Sequence, residues 1–422
     1  MRVYQAELKR ILKTRSVQIL LAAAVLISAV LAYFPCTFAE YVYEDEAGQE
    51  VTLTGRKAIQ MIQERQGQYE GEITEEKLAD AVRQYGEFAS RYEGGLPNGI
   101  YDERVTAVDS YKYVFAINRL LTRMQEVNAD PDTGIAPGME ALTEEDAQNF
   151  YEQCRQHVKE LIYLENGHGA KGDSAVAQAE MLYDKVQMPF SYYPYISTNA
   201  IEYTGLCVLF LVLIGMILMV PLFASDRQTQ ADQIIKCTKY GKRRLASVRI
   251  LAGLTVATVM YAAGITLFLL VMNSLIGWES LKSSVQITVS AVVFLPVTVG
   301  GLEVIIAAAG YITLLATVCF TLFLSGRMKS VFASAITAFV FFLLPVVCYM
   351  IFDGNVRNWI CSIFPSGGTG LINSFTYAVT DTKFAFIGDQ AIWTPYLMMA
   401  AALIEVILFI PFTVTGWCRK RG

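Results

Sequence analysis

The sequence predicts an all-α polytopic membrane protein with six transmembrane helices and a mostly helical extracytoplasmic domain that contains a short β-hairpin. The chain of 422 residues is 54% hydrophobic and only 17% charged, whereas soluble domains carry about 25% charged residues. Its apolar residues lie in long runs, each matching the roughly 20 residues that span a bilayer. This composition excludes a cytosolic enzyme, a disordered regulator, a collagen-like fibre and a small disulfide scaffold.

The distribution of basic residues predicts the topology. The predicted spans are 17–34, 201–225, 250–276, 303–326, 331–352 and 395–417. Lys and Arg cluster between them in four short segments, at 2–15, 225–249, 327–329 and 419–421. Because cytoplasmic loops carry an excess of Lys and Arg, both termini of this plasma-membrane protein are expected inside. The cytoplasmic parts would be an amphipathic N-terminal segment 1–16, a loop 226–249, a turn 327–330 and a tail 418–422.

Two apolar runs admit a second interpretation. Residues 17–34 could belong to a cleaved signal peptide, but they exceed the roughly 7–15 apolar residues of such a segment, so we interpret them as a retained anchor. Residues 283–302 are nearly long enough for a seventh span, which would place the last basic segments outside. Because Pro296 and paired glycines interrupt this run, we predict an outer interfacial or re-entrant segment at 277–302, with its backbone covered by protein or lining a wet cavity.

Residues 35–200 are predicted to form the extracytoplasmic domain, since they hold 29 acidic and 14 basic residues. Apolar alternation on both sides of a short turn predicts a β-hairpin at 40–55. Thr143 and Asp146 have capping-box spacing at the start of one helix. Helical periodicity covers five segments, 56–68, 74–92, 102–127, 144–165 and about 173–187. A second outer loop is expected at 353–394.

No catalytic motif is recognisable in the chain. The two histidines, His157 and His168, are too few for a histidine-rich metal site, and the spacing of Cys154 and His157 is typical of one helix face. Gly167 to Gly172 matches GxGxxG, but the dinucleotide fingerprint needs a preceding strand, so we expect a loop. Since no Walker-type phosphate loop occurs, we predict a non-enzymatic chain without catalytic, cofactor or metal residues. The short basic loops indicate contact with membrane lipids and no nucleic-acid partner.

The most informative stretch is FASDRQTQADQIIKCTKYGKRRLASVRILAGL, residues 223–254. Asp226 directly follows the second span, and about ten residues of amphipathic helix carrying Ile234 and Ile235 come next. A turn at Tyr240-Gly241 leads into a set of basic residues, Lys242, Arg243, Arg244 and Arg249. Such a helix can lie on the inner membrane surface, where a partner can push on it. A charged loop that follows the positive-inside bias is the alternative.

This stretch resembles the permease subunits of type-2 ABC exporters, of the Gram-positive kind with a large outer domain between the first and second spans. In that family an acidic residue after the second span, a coupling helix, a Gly-Arg or Ser-Arg pair and a basic residue entering the third span recur. The matching positions are Asp226, Gly241, Arg243 or Arg244, and Arg249. The amphipathic N-terminal segment, the six spans and the Pro296 outer segment extend the resemblance over nearly the whole chain. Asp226 stands where Glu is commoner, which keeps the charge.

The resemblance implies a division of labour between subunits. Two permease subunits, as a homodimer or a heterodimer, form the pathway, and separate ABC ATPase subunits holding ATP and Mg dock below and drive it. The expected function is export of an amphiphilic or peptide-like substrate. The alternatives are a non-transporting sensor or resistance module whose outer domain binds a ligand, and a mechanotransmitter, although related transmitters usually have four spans. The residues expected to couple to the ATPase are Asp226, Asp232, Gly241, Lys242, Arg243 and Arg244.

Two acidic residues fall within or at the edge of predicted spans. Glu405 lies near the middle of the last span, where a carboxylate is costly and usually faces a bundle interior, a cavity or a partner. Glu303 opens the fourth span at the outer surface, where hydration alone can explain it. Both are candidates for the transport pathway or a subunit interface.

The topology is tested by labelling single introduced cysteines with a membrane-impermeant reagent in intact cells. We expect cysteines replacing Lys282 and Asp353 to react from outside. Lys282 lies between the third and fourth spans and Asp353 between the fifth and sixth, and the basic segments expected inside lie at the other ends of these spans. Cysteines replacing Lys329 and Lys420 should react only after the membrane is permeabilised. Labelling of position 329 in intact cells would refute the six-span topology.

Overall fold

The computed structural model describes residues 2–96, 99–195, 198–369 and 374–419. Within them, six helices are long and apolar enough to cross a membrane. We call these the first to sixth spans, Arg15–Thr37, Thr198–Gln228, Arg243–Ile276, Val299–Arg327, Val331–Ile351 and Thr394–Cys418. Three two-stranded antiparallel sheets accompany the helices. The mostly helical fold with six candidate membrane-spanning helices, typical of a multi-pass membrane protein, confirms the predicted fold class at this level.

The second and fourth spans form the centre of the bundle and are its most buried members. Small residues let the helices approach closely, as is common between membrane helices. A Cβ atom built on Gly310 of the fourth span would lie 2.5 Å from the Cγ1 atom of Val208 of the second span. Tyr261 of the third span donates a hydrogen bond of 2.7 Å to the carbonyl of Ala307. The fifth and sixth spans are the least buried of the six.

The residues between the first and second spans form an insert domain, which we define as 38–195. Its hairpin pairs Glu40–Glu44 with Glu50–Thr54, as the alternation predicted. The main helices that follow are Gly55–Gln66, Glu75–Ala89, Asn118–Val127, Glu144–Asn166 and Ala170–Tyr183. Thr143 and Asp146 form the predicted capping box. The loop expected at Gly167 to Gly172 is shorter than predicted, because the next helix already begins at Ala170. The core is aromatic and includes Phe88, Phe150 and Phe190.

The single helix predicted over 102–127 is wrong. The chain forms a short helical turn at Ala107–Asp109 and a wide turn at Ser110–Val114, and a regular helix begins only at Asn118. The rings of Tyr111 and Phe115 stack on each other at 4.7 Å and pack edge-on against Tyr41 of the hairpin. Tertiary packing of these rings onto the hairpin accounts for the break, because helix propensity is a weak preference that tertiary contacts override.

Residues 277–298 connect the third and fourth spans without forming a span. They contain a short 3₁₀ turn at Trp278–Lys282 and a helical turn at Val285–Thr288, and Ser284 bridges to Thr298 at the base. The insert domain covers them. Tyr183 donates to the carbonyl of Ala291 at 2.6 Å, and Glu126 accepts from the amide of Ala291 at 3.0 Å. The protein cover that the sequence required for this backbone is therefore present.

The insert domain also contacts the connection between the fifth and sixth spans. That connection holds the helices Gly354–Ile363 and Phe375–Thr380 and a hairpin of Phe384–Ile387 with Gln390–Trp393. The amide of Ala391 donates to Ser174 and the amide of Trp393 donates to Gln178, both at 2.9 Å. All these segments lie at one end of the bundle, which we call the domain end.

The opposite end carries the N-terminal helix Arg2–Leu12, the residues 229–242 and the turn 328–330. We call it the basic end. Residues 97–98 and residues 420–422 of the predicted tail, including Lys420, lie outside the described residues.

Candidate functional site

At the basic end the chain reverses direction between the second and third spans. The second span continues past Pro221 to Gln228, Gln230 adopts a left-handed conformation with φ of 59°, and a helix of 7 residues follows at Ala231–Cys237. We call residues 229–242 the elbow. Its helix is shorter than the predicted ten residues because Thr238 is already extended. Ile234 is 76% exposed on its outer face.

Gly241 makes the reversal possible. A Cβ atom at this position would lie 1.7 Å from the carbonyl oxygen of Ile235, so any other residue would force the turn open. The carbonyl of Gly241 accepts a hydrogen bond of 3.0 Å from the indole nitrogen of Trp417, near the end of the sixth span. The elbow is therefore attached to the sixth span as well as to the second and third.

A cluster of four charged residues lies beneath the elbow, and we call it the ionic cluster: Glu7, Arg10, Asp226 and Arg249. The Arg249 guanidinium, only 3% exposed, bonds to Asp226 through one nitrogen and to Glu7 through another at 3.2 Å. Arg10 bonds to Glu7 at 2.8 Å. Two carboxylates and two guanidiniums balance their charges, which is the condition under which buried charges are tolerated.

The ionic cluster joins segments that are distant in sequence. Glu7 belongs to the N-terminal helix, Asp226 to the end of the second span and Arg249 to the first turns of the third span. Tyr4 adds a hydrogen bond of 3.0 Å to Thr255 on the third span. The N-terminal helix is thus fixed to the third span along its length.

Trp417 closes the cluster on the side of the sixth span. Its fully buried ring lies 4.6 Å from the Lys236 ammonium and 5.4 Å from the Arg249 guanidinium carbon, distances within the range of cation–π attraction. Arg227 donates to the carbonyl of Arg327 at 3.1 Å and to that of Gly416 at 2.8 Å. It therefore links the ends of the fourth and sixth spans to the second.

The six residues expected to couple to an ATPase divide into two groups. Asp226 belongs to the ionic cluster, Asp232 is buried and bonds to Lys236 at 2.7 Å, and Gly241 is buried in the turn. The other three, Lys242, Arg243 and Arg244, are exposed on the surface of the elbow and the first turn of the third span. The first group shapes the elbow, and the second gives it a cationic surface.

Sequence inspection missed Glu7, Arg10, Arg227 and Trp417 as members of this site. The signal available for Glu7 was an acidic residue within an otherwise basic amphipathic segment. For Trp417, the signal was a tryptophan at the end of a span, which is equally typical of an interfacial anchor.

Glu303 and Glu405 lie away from the basic end. The interpretation of Glu303 as a hydrated surface residue is wrong, because its side chain is only 3% exposed. The fourth span begins at Val299, with the Thr298 hydroxyl accepting from the amide of Gly301, and the extra turn directs Glu303 toward the third span, where Asn273 donates to it at 2.8 Å. Glu405 is half-buried at mid-helix, and its Oε2 atom has no hydrogen-bond partner among the described residues.

The described residues contain no group of three or more His, Cys, Asp and Glu side chains that could hold a metal ion. Cys36 and Cys154 are both buried and unpaired. Burial raises the pKa of the Cys154 thiol, which therefore stays protonated. His157, one turn further along the same helix, lies 3.6 Å from Glu160.

Two apolar cavities lie near the basic end. The larger, of about 540 Å³, is lined by side chains of the first, second and fifth spans, including Leu20, Ile217 and Phe339. The smaller, of about 300 Å³, lies between the N-terminal helix and the first and third spans. Both have the size of pockets that hold small amphiphilic molecules.

Replacing Arg249 with Ala is expected to weaken the basic end strongly, because two carboxylates would lose their main cation. Removing one partner of a buried ion pair costs about 3–5 kcal/mol. We expect a lower thermal unfolding temperature in detergent and faster proteolysis within residues 2–15. Arg243→Ala is the matched control, since an exposed substitution changes stability by only about 0.5 kcal/mol. Equal unfolding temperatures for the two variants would contradict the role of the cluster.

The arrangement at the basic end joins the N-terminal helix to the second and third spans through paired charges, and the cationic elbow to the sixth span through the Trp417 hydrogen bond. It brings together no acid, base and nucleophile in the manner of a catalytic centre among the residues that the structure describes. Comparison with models of protein families and with curated proteins finds no match for this chain.

Proposed function

We propose that this chain is the permease subunit of an ATP-driven ABC exporter, working with separate ATPase subunits that hold ATP and Mg. The observation that carries the proposal is the ionic cluster together with Gly241 and Trp417. These residues connect an exposed elbow rigidly to the N-terminal helix and to the second, third and sixth spans. A transport subunit without a phosphate-binding loop needs such a connection to receive work from a partner.

The elbow suits a docking surface for a moving partner. Its exposed face combines cations with apolar side chains, since Ile234 and Tyr240 lie near Lys242, Arg243 and Arg244 in the chain. A rigid-body movement of a bound ATPase would be passed on to the spans, because packed elements move as units and do not deform continuously. In this proposal the basic end faces the cytoplasm of a plasma-membrane protein.

The cavities support the expected substrate class. The larger cavity opens between the first, second and fifth spans and is lined almost entirely by apolar side chains. An amphiphilic or peptide-like molecule, entering from the membrane or the cell interior, matches this lining. The sparsely buried fifth and sixth spans leave an apolar surface on which a second permease subunit can complete the pathway.

A sensor or resistance module is the second candidate, favoured by the attachment of the insert domain. We place the insert domain outside the cell both in the exporter proposal and in the sensor proposal. It is hydrogen-bonded to the connections between the third and fourth spans and between the fifth and sixth. Ligand binding to such a domain could bias the positions of several spans at once. The mechanotransmitter is disfavoured, because related transmitters usually have four spans.

The proposal is tested first by copurification in mild detergent, where a small soluble ATPase should accompany the chain. Coupling is then tested with Gly241→Val, which forces the elbow open, and with Arg243→Glu combined with Arg244→Glu, which reverses the cationic surface. We expect substrate-stimulated ATPase activity to fall about 5-fold or more, the scale of a coupling free energy of 1–3 kcal/mol, with the protein still in the membrane. Arg15→Glu, an exposed reversal outside the elbow, is the control. Full stimulated activity in the elbow variants would refute the assignment.

A separate prediction concerns Glu405, whose insertion near mid-membrane costs about 2.5–3.5 kcal/mol. Glu405→Gln keeps the shape of the side chain and removes its ability to ionise. We expect this variant to assemble normally but to alter transport or its dependence on pH. Glu405→Leu should insert at least as well and perturb transport at least as much. Normal transport by both variants across about pH 6 to 8 would remove Glu405 from the pathway or subunit interface.

A further inference from the structure

A buried acid and a buried amide face each other where the third and fourth spans meet the domain end. Asn273 is 2% exposed and Glu303 is 3% exposed. The Asn273 amide nitrogen donates to the Oε2 atom of Glu303 at 2.8 Å. The other oxygen of each side chain, Oδ1 of Asn273 and Oε1 of Glu303, is buried without a hydrogen-bond partner among the described residues. Both unsatisfied atoms therefore belong to one pair.

The hydrogen-bonding chemistry of the Glu303 carboxyl and the Asn273 amide indicates how their two unpaired oxygens can be satisfied. An ionised carboxylate only accepts hydrogen bonds, and the amide oxygen of Asn273 also only accepts. Two buried acceptors cannot satisfy each other, and each costs free energy if left unpaired. One proton on Oε1 of Glu303 turns that oxygen into a donor, and Oδ1 of Asn273 is the acceptor that the same pair offers. Acid and amide then form two hydrogen bonds in opposite directions.

The surrounding charges leave Glu303 without a counter-ion. Lys282, on the 3₁₀ turn packed against the fourth span, is exposed and bonds to Glu279. Gln63 of the insert domain donates its amide to the carbonyl of Ile276, above Asn273. Glu202 on the second span is exposed. Glu303 takes part in no ion pair with the described Lys, Arg and His residues, and an unpaired buried carboxylate is the state that proteins avoid by holding a proton.

We propose that Glu303 and Asn273 form a proton-binding site, in which Glu303 is a neutral acid at neutral pH and donates to Asn273. This site is independent of the proposed export function. Asn273 precedes the 277–298 segment in the chain and Glu303 follows it, so their pairing holds the two ends of the segment together. The Ser284–Thr298 bridge joins the segment a second time. Loss of the proton leaves a buried charge beside an amide oxygen and separates the two spans.

The site has a consequence for the insert domain. The 277–298 segment is the surface on which Tyr183 and Glu126 hold the domain. Opening its base loosens that attachment, so the domain end responds to proton concentration.

The first test is infrared difference spectroscopy of the full chain in detergent at neutral pH, comparing wild type with Glu303→Gln. We expect the variant to lose a carbonyl-stretch band of a protonated carboxylic acid. Glu202→Gln is the matched control, and it should lose only the bands of an ionised carboxylate. Loss of ionised-carboxylate bands alone in Glu303→Gln would overturn the proposal.

The second test is thermal unfolding against pH, which remains informative if the spectra are crowded. The folded state holds a proton that the unfolded state releases at neutral pH, so raising the pH favours unfolding of the wild type. In Glu303→Gln, the side-chain amide offers a hydrogen-bond donor to Asn273 at every pH. The unfolding temperature of Glu303→Gln relative to wild type should therefore rise with pH, while Asn273→Leu should unfold at a lower temperature than wild type. A constant difference between Glu303→Gln and wild type across the pH range would contradict the site.

Discussion

The pairing of Arg249 with Asp226 and Glu7 is the interaction on which the basic end depends. A guanidinium can serve two carboxylates at once because its donors spread in a fixed plane, and here the two carboxylates come from different parts of the chain. Without it, the N-terminal helix would keep its apolar stripe, the Tyr4 hydrogen bond and the longer Arg10–Asp226 pair of 3.8 Å. Together with Gly241 and Trp417, this pairing holds the elbow in its position.

Among the described residues, the domain end is held together by hydrogen bonds and not by a buried ionic cluster. Its attachments are neutral or locally balanced hydrogen bonds between the insert domain and the connections of later spans, as in Tyr183 with Ala291 and Gln178 with Trp393. Backbone groups that would otherwise be buried without partners are satisfied by side chains of the domain. One end of the molecule is thus held by charge and the other by hydrogen bonding and packing.

The spans, the hairpin and the helix at Glu144–Asn166 could be predicted because each has a strong local signal: apolar length, alternation or a capping box. The break before Asn118 could not, since it depends on Tyr41 packing against Tyr111 and Phe115. Asp226 and Gly241 were found from their places in a motif. Arg10, which pairs with Asp226, and Trp417, which donates to Gly241, lie more than a hundred residues away from them, and no local pattern shows which buried side chains meet.

The place of the insert domain in the chain has a consequence for biosynthesis. The domain is translated before the segments that complete it: Ala291 follows Tyr183 by 108 residues and Trp393 follows Gln178 by 215. Until those residues emerge, the apolar and hydrogen-bonding surfaces that they cover stay open, and incomplete chains of this kind are prone to aggregate. The surface of the domain is therefore completed only after the connection between the fifth and sixth spans has been made.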